Sequence, residues 1–178
     1  MSKKIIVITG GPGTGKSSCI HALKKRGYVC FDEISREVIK QAQLDGIDQL
    51  FLTNPLLFSE LLLEGRIKQY NKALEHDSHL IFLDRGLPDI LAYMDYIGDK
   101  YPAHFVNSCK HKIYHQAFIL APWQEIYQSD NERYENFDQA VEIHHHLIAT
   151  YQQYNYELFD VPFDSVEKRV DFILDTIK

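Results

Sequence analysis

Gly10-Gly11-Pro12-Gly13-Thr14-Gly15-Lys16-Ser17 is the stretch that decides how the chain folds. It fills every fixed position of the pattern G-x-x-x-x-G-K-[ST]. The residues before it, Ile5-Ile6-Val7-Ile8, are an apolar, β-branched run that reads as a buried strand. After it, Ser17 to Arg26 carries Cys19, Ile20, Ala22 and Leu23 at spacings that turn one helix face inward, and Gly27 stops the helix. In this order, strand, glycine loop and helix give the motif a mechanism. The glycines let several backbone N–H groups converge on one point, and the helix start adds partial positive charge there. Phosphate is the anion that fits. The expected nucleotide-binding residues are Gly10, Gly11, Pro12, Gly13, Thr14, Gly15, Lys16, Ser17 and Ser18. Lys16 would reach the β- and γ-phosphates of ATP, and Ser17 Oγ would hold Mg²⁺. A merely glycine-rich turn is the plainer reading, and the Lys-Ser pair at fixed spacing argues against it.

Working outward, 178 residues suit one domain, 1–178, with a sizeable core. Apolar residues make up 45% and charged residues 25%, the balance of a soluble globular chain. A net charge of −6 argues against long-range attraction to nucleic acid or to an acidic membrane. Cys19, Cys30 and Cys109 are odd in number, lack C-x-x-C spacing and read as small core residues in a reducing compartment. The first strand begins at the N-terminus with no signal peptide, and no apolar stretch approaches transmembrane length. The expectation is a cytoplasmic protein.

Strand-like and helix-like stretches alternate along the chain. Tyr28-Val29-Cys30-Phe31 is a second strand, ending at Asp32-Glu33. A helix over Ser35 to Leu44 is broken by Asp45-Gly46. Asn54 caps a long helix with Pro55 at its first position. His79 to Asp84 is a third strand, Asp89 to Ile97 a helix stopped by Gly98, and Pro102 to Lys110 a shorter one. Tyr114 to Leu120 is a fourth strand. Asp138 caps a helix from Gln139 to about Asn155, Tyr156 to Val161 is a fifth strand, and Asp164 to Lys178 closes the chain. The pattern predicts a three-layer α/β/α fold with a five-stranded parallel sheet. Such sheets bind ligands at the carboxyl ends of their strands.

The remaining polar candidates fall at those ends. Asp84 follows four apolar residues and suits the Mg²⁺ side of a phosphate loop. Arg85 offers a planar fork for a phosphate or an acidic group, provided the turn aims it into the cleft. Asp32 or Glu33 can take the hydroxyl proton of an acceptor. Arg36 stands one turn beyond Glu33 and reads equally as a substrate contact or as its ion-pair partner. Asp89 and Tyr93 are four apart on one helix and can line an acceptor pocket, although Tyr93 reads as well as core. The stretch PWQEIYQSDNERYENF, about 122–137, suits a lid that brings Arg133 onto the moving phosphate. His144-His145-His146 lies in a helix, where neighbours point about 100° apart, and makes a poor metal site. Tyr151, Tyr154 and Tyr156 read as packing, and Pro162-Phe163 as a border of the nucleotide base.

Taken together, GGPGTGKS, Phe31-Asp32-Glu33-x-x-Arg36, Leu83-Asp84-Arg85-Gly86-x-x-Asp89 and Glu132-Arg133-x-Glu135 resemble the NadR-like P-loop ATPase and kinase family. The resemblance spans nearly the whole chain. It implies a nucleotide-kinase-like core with a lid, Mg²⁺-ATP as cofactor, and a small-molecule phosphate acceptor as partner. The family's base or substrate-binding acid maps onto Asp32 or Glu33, its acid-Arg pair onto Asp84 and Arg85, and its lid arginine onto Arg133. Two departures stand out: these 178 residues hold no nucleotidyltransferase domain, so an NAD pathway is not the expectation, and no second arginine lies near Arg133. The resemblance extends to ATPases labelled AAA-type, yet no small helical domain follows the core as it would in a hexameric motor. The expected activity is a kinase for a nucleoside, nucleotide or similar metabolite. Its rival is a regulatory ATPase or GTPase with no small-molecule acceptor, and a nucleic-acid end kinase ranks third because of the charge.

Overall fold

The computed structural model describes residues 2–127 and 135–177. Its five strands are β1 (Lys4–Gly10), β2 (Val29–Phe31), β3 (Leu80–Asp84), β4 (Gln116–Leu120) and β5 (Leu158–Val161). They form one parallel sheet in the order β2-β3-β1-β4-β5. Its helices among the described residues are α1 (Lys16–Lys25), α2 (Ser35–Leu44), α3 (Leu50–Thr53), α4 (Pro55–Glu75), α5 (Pro88–Ile97), α6 (Ala103–His111), α7 (Phe137–Gln153) and α8 (Val166–Thr176).

The three layers follow from the two-residue period of the strands. Ile5 and Val7 of β1, with Ile81, Leu83, Ala117 and Ile119, enter the core beneath α4, α5 and α7. Ile6 and Ile8, with Phe82, Phe118 and Leu120, enter the core beneath α1 and α8. A parallel sheet covered on both faces needs strands that are apolar throughout, and β1 has that composition. The chain reverses direction across the sheet between β1 and β3, so the crevice at their carboxyl ends is where a ligand fits.

Several boundaries differ from the sequence expectation, and α3 is an element the sequence pattern does not predict. The fourth strand starts at Gln116 rather than Tyr114, because Tyr114 N–H donates to Tyr156 Oη (3.0 Å) and not to a ladder partner. Asn136, not Asp138, caps α7. Its side chain accepts from Gln139 N–H (2.9 Å) while Gln139 Oε1 accepts from Asn136 N–H (2.8 Å), a reciprocal capping box. β5 begins at Leu158, after a left-handed turn at Asn155 (φ 61°). Ser165 caps α8 one residue beyond the expected start. Cys19 and Cys109 are buried and Cys30 half-buried, all as free thiols, and burial pushes Cys30 and Cys109 up to about 12. Among the described residues no helix is long and apolar enough to cross a membrane.

Candidate active site

β1 delivers Gly10 to the carboxyl end of the sheet, and the loop curls back into α1. Gly13 (φ 70°) and Gly15 (φ 79°) hold left-handed backbone that other residues resist. A Cβ on Gly13 would also lie 2.5 Å from the ring of Tyr127. Thr14 Oγ donates to the Gly11 carbonyl (3.1 Å) and staples the loop. Lys16 opens α1, and its Nζ lies 2.8 Å from Asp84 Oδ1 at the end of β3. That oxygen is buried and, the ion pair apart, has no hydrogen-bond partner. Ser17 and Asp84 border one hollow of about 220 Å³, shared with His21, Lys24, Asp32, Glu33 and Arg36. A hydroxyl and an underused carboxylate beside a phosphate loop are the hard oxygen donors that suit Mg²⁺.

A second cavity, about 240 Å³, lies on the other side of Glu33. Pro12 of the loop forms one edge. Ile39, Phe51, Phe58, Leu62, Ile90 and Tyr93 supply apolar wall. Glu33, Arg66, Arg85, Asp89 and Glu135 supply charge. Arg85 adopts φ 71°, uncommon for a residue with a Cβ, and its N–H donates to the Ile8 carbonyl (3.0 Å). This turn sends consecutive residues to different places: Asp84 borders the loop-side hollow, and Arg85 the cavity.

The charged groups are tied together. Glu33 takes an ion pair from Arg85 Nε and one from Arg66 Nη2 (3.0 Å). Arg66 Nη1 donates to the Gly86 carbonyl (2.8 Å), fastening α4 to the turn. Burial alone would raise the Glu33 carboxyl, but Arg66, Arg85 and Lys16 outweigh it and hold it at about 2. Burial would correspondingly lower Arg66 and Arg85, and their carboxylate neighbours raise both instead. Asp89 is a clasp. Its Oδ1 accepts from Thr9 Oγ (2.5 Å) and from Arg85 Nη1 (3.4 Å), and its Oδ2 from Gly86 N–H (2.9 Å) and Tyr151 Oη (2.6 Å). Burial and Asp89 push the Tyr151 phenol far above its ordinary range, so it stays a donor. Tyr151→Phe leaves a buried acceptor short of one donor. The expected cost is about 1–3 kcal/mol, read as a thermal midpoint lower by several degrees.

The structure separates the candidates that sequence left side by side. Glu33 lines both the hollow and the cavity, its side chain 14% exposed. Asp32 turns outward, 69% exposed, and pairs with Lys24 (2.5 Å). Arg36 lines the loop-side hollow, and the groups that pair with Glu33 are Arg66 and Arg85. Tyr93 lines the cavity, and burial pushes its phenol up to about 12. Arg133, with residues 128–134 of the expected lid, lies outside the described residues. Phe163 packs on Trp123 (centroids 5.2 Å apart) beside the loop. His146 packs edge-on against Tyr96, while His145 is exposed.

Sequence reading passed over Arg66 and Arg169. Each interrupts an apolar helix face, Leu62-Leu63-Arg66 in α4 and Arg169-Val170-Ile173 in α8. An arginine at an inward position is the signal that was available, since such a charge needs a partner.

A family model described as an AAA domain matches residues 5–169. The chain belongs to the AAA domain family. A curated relative of this AAA domain, a nucleotide-binding protein of Delftia acidovorans (strain DSM 14801 / SPH-1), is 46% identical over 39 residues. That match spans 22% of this chain and 13% of the relative. Among solved structures, deoxyadenosine kinase from M. mycoides superposes with a TM-score of 0.71 at 19% identity, over 96% of this chain and 97% of the kinase. NadR in complex with NR gives 0.75 at 12% identity, over 97% of this chain and 49% of NadR. Thymidylate kinase from Ehrlichia chaffeensis gives 0.65 at 14% identity over the full length of both chains. The fold is therefore that of P-loop nucleoside and nucleotide kinases, as the sequence predicted. The AAA domain's strand ends carry the phosphate loop and the Asp84-Arg85 pair at the crevice that this fold uses.

Proposed function

We propose that this AAA domain is a kinase that moves the γ-phosphoryl group of Mg²⁺-ATP onto a small, phosphate-free hydroxyl compound of nucleoside size. One observation carries the reading. Glu33 lines both the hollow that Ser17 and Asp84 border and the second cavity, which touches Pro12 of the loop. A nucleotide terminus on one side and a hydroxyl on the other would meet at that carboxylate.

The chemistry is positioning and charge stabilisation. The loop amides and Lys16 would hold the triphosphate, and Ser17 and Asp84 would hold Mg²⁺, which neutralises phosphate charge. Glu33 accepts a hydrogen bond from the acceptor hydroxyl and aims its oxygen at the γ-phosphorus. The new O–P bond forms as the bond to the β,γ-bridging oxygen breaks, and ADP departs with that electron pair. A carboxyl held at about 2 orients the hydroxyl but does not store its proton, which ends on the more basic phosphate products. Arg85 borders the cavity with its outer edge and offsets charge on the moving group, while Asp89 fixes its direction.

Both cavity guanidiniums are already matched by carboxylates, and the three lining carboxylates outnumber them. A monophosphate acceptor would bring further negative charge to a site with no uncommitted cation among the described residues. The apolar wall with Phe51, Phe58 and Tyr93 favours a flat ring instead. The volume of about 240 Å³ suits one small metabolite.

ADP release from Mg²⁺-ATP, measured across nucleosides, ribosylnicotinamide and nucleoside monophosphates, tests this. One phosphate-free compound is expected to raise release about 10²-fold or more above the water background, at the scale of positioned reactants. A preference for monophosphates overturns the acceptor class. A flat background across the panel overturns the kinase.

A further inference from the structure

Arg169 of α8 is a buried arginine, 1% exposed, for which the described residues offer no carboxylate. The contrast with Arg66 is direct, since Arg66 is as deeply placed and has Glu33. Arg169 Nη2 donates to the Thr14 carbonyl (2.9 Å), its Nε is buried without a hydrogen-bond partner, and its Cζ lies 5.7 Å from the centre of the Trp123 ring. A ring face and one carbonyl are weak compensation for a buried charge. An uncompensated buried ion is strongly destabilising, so a counter-charge is expected nearby.

The position of the guanidinium indicates what supplies it. A Cβ on Gly15 would lie 2.6 Å from Arg169 Nη1, so the guanidinium is packed against the residue that caps α1. Helix starts of this kind collect anions. The peptide linking Thr14 to Gly15 is planar and trans, so its C=O and N–H point in opposite directions. Pinning the Thr14 carbonyl against Arg169 therefore aims the Gly15 N–H away from α8, into the concave side of the loop.

We propose that Arg169 is a positioning residue of the nucleotide site: it fixes the Thr14–Gly15 peptide, and the polyphosphate of a bound nucleotide is the counter-charge that the chain does not provide. The proposal rests on residues 10–17 binding a nucleotide and is independent of which acceptor is used. Its effect grows with the number of phosphates on the ligand, because it acts through charge and through an N–H aimed at phosphate. A purely structural role would lower all nucleotide-site affinities alike.

The test measures dissociation constants for Mg²⁺-ADP, Mg²⁺-tripolyphosphate and adenosine by calorimetry, with wild-type protein, Arg169→Met and Arg169→Lys. Arg169→Met is expected to weaken ADP and tripolyphosphate about 10-fold or more, the scale of a hydrogen bond to a charged group, and adenosine less than about 2-fold by the same reasoning. Arg169→Lys restores most of the affinity because it returns the charge. Equal losses for adenosine and ADP, or unchanged ADP affinity in a folded Arg169→Met protein, overturn the proposal. Should Arg169→Met fail to fold, Arg169→Gln keeps a donor for Thr14 without the charge, and wild-type affinity for tripolyphosphate in that variant overturns it. Wild-type protein that binds neither ADP nor tripolyphosphate overturns the phosphate-loop reading together with this one. Wild-type protein that binds both but transfers no phosphate overturns only the kinase.

Discussion

Lys16→Met is expected to lower kcat for phosphoryl transfer by about 10²–10³-fold, the loss that follows removal of one preorganised transition-state contact. Lys16 is the loop's cation. Its ammonium rests on Asp84 at 2.8 Å, with both side chains nearly excluded from solvent. A triphosphate would draw that ammonium toward the β- and γ-oxygens and release Asp84 for the metal. Methionine keeps the length and packing but ends the charge exchange. It also leaves the Asp84 carboxylate without its partner, so the variant is expected to gain affinity for Mg²⁺ alone. Steady-state kinetics and a Mg²⁺ titration check the two effects separately. Wild-type kcat in a folded Lys16→Met protein would show that the loop does not handle the transferred phosphate.

Glu33→Gln is the second large effect, and it has a structural part and a chemical part. The carboxylate neutralises Arg66 and Arg85 together. Removing its charge leaves the buried Arg66 guanidinium and the half-buried one of Arg85 facing an amide, and breaking a buried pair such as that of Arg66 costs about 3–5 kcal/mol. The acceptor hydroxyl also loses its orienting oxygen, and kcat is expected to fall about 10²-fold, the cost of a misplaced reactant. The pH dependence identifies the group. Arg66, Arg85 and Lys16, acting against burial, lower the folded-state value from 4.5 to about 2. A lowered carboxyl contributes stability that is complete above 4.5 and is lost as pH falls from there toward 2. The thermal midpoint of the wild type is thus expected to drop across that window more steeply than that of Glu33→Gln. Parallel curves would show that Glu33 is not held as the structure indicates.

The parts of this site that sequence revealed are those whose chemistry is local. GGPGTGKS carries its own geometry in eight residues, and Asp84 stands at the end of an apolar run that can only be a strand. Adjacent residues are harder. Asp32 and Glu33 differ by one position, and which of them faces the crevice depends on how β2 leaves the sheet, a property no short pattern encodes. Arg66 and Arg169 are harder still. An arginine on a helix ordinarily lays its stem on apolar surface and keeps its head in water. Here the head groups reach Gly86 and Glu33, or Thr14, across long stretches of chain. The start of α7 was misplaced for a related reason: Asn136 and Asp138 are both acceptable caps, and the matching side chain, Gln139, stands three residues after Asn136.

The apolar wall of the proposed acceptor cavity comes from a narrower span of chain than its charged floor, and this bears on how such an enzyme diversifies. The cavity's charged floor is made by Glu33 and Arg85 at strand ends, by Asp89, by Glu135 and by Arg66 of α4. Its apolar wall comes mainly from Ile39, Phe51, Phe58 and Leu62, all on the single excursion between β2 and β3. On the proposed reading, phosphate handling and the apolar part of acceptor selection would then lie in separable blocks of sequence. A lineage can drift, or be redesigned, through residues 35–63 to accept a new ring while Gly10–Ser17, Asp84 and Arg85 stay as they are.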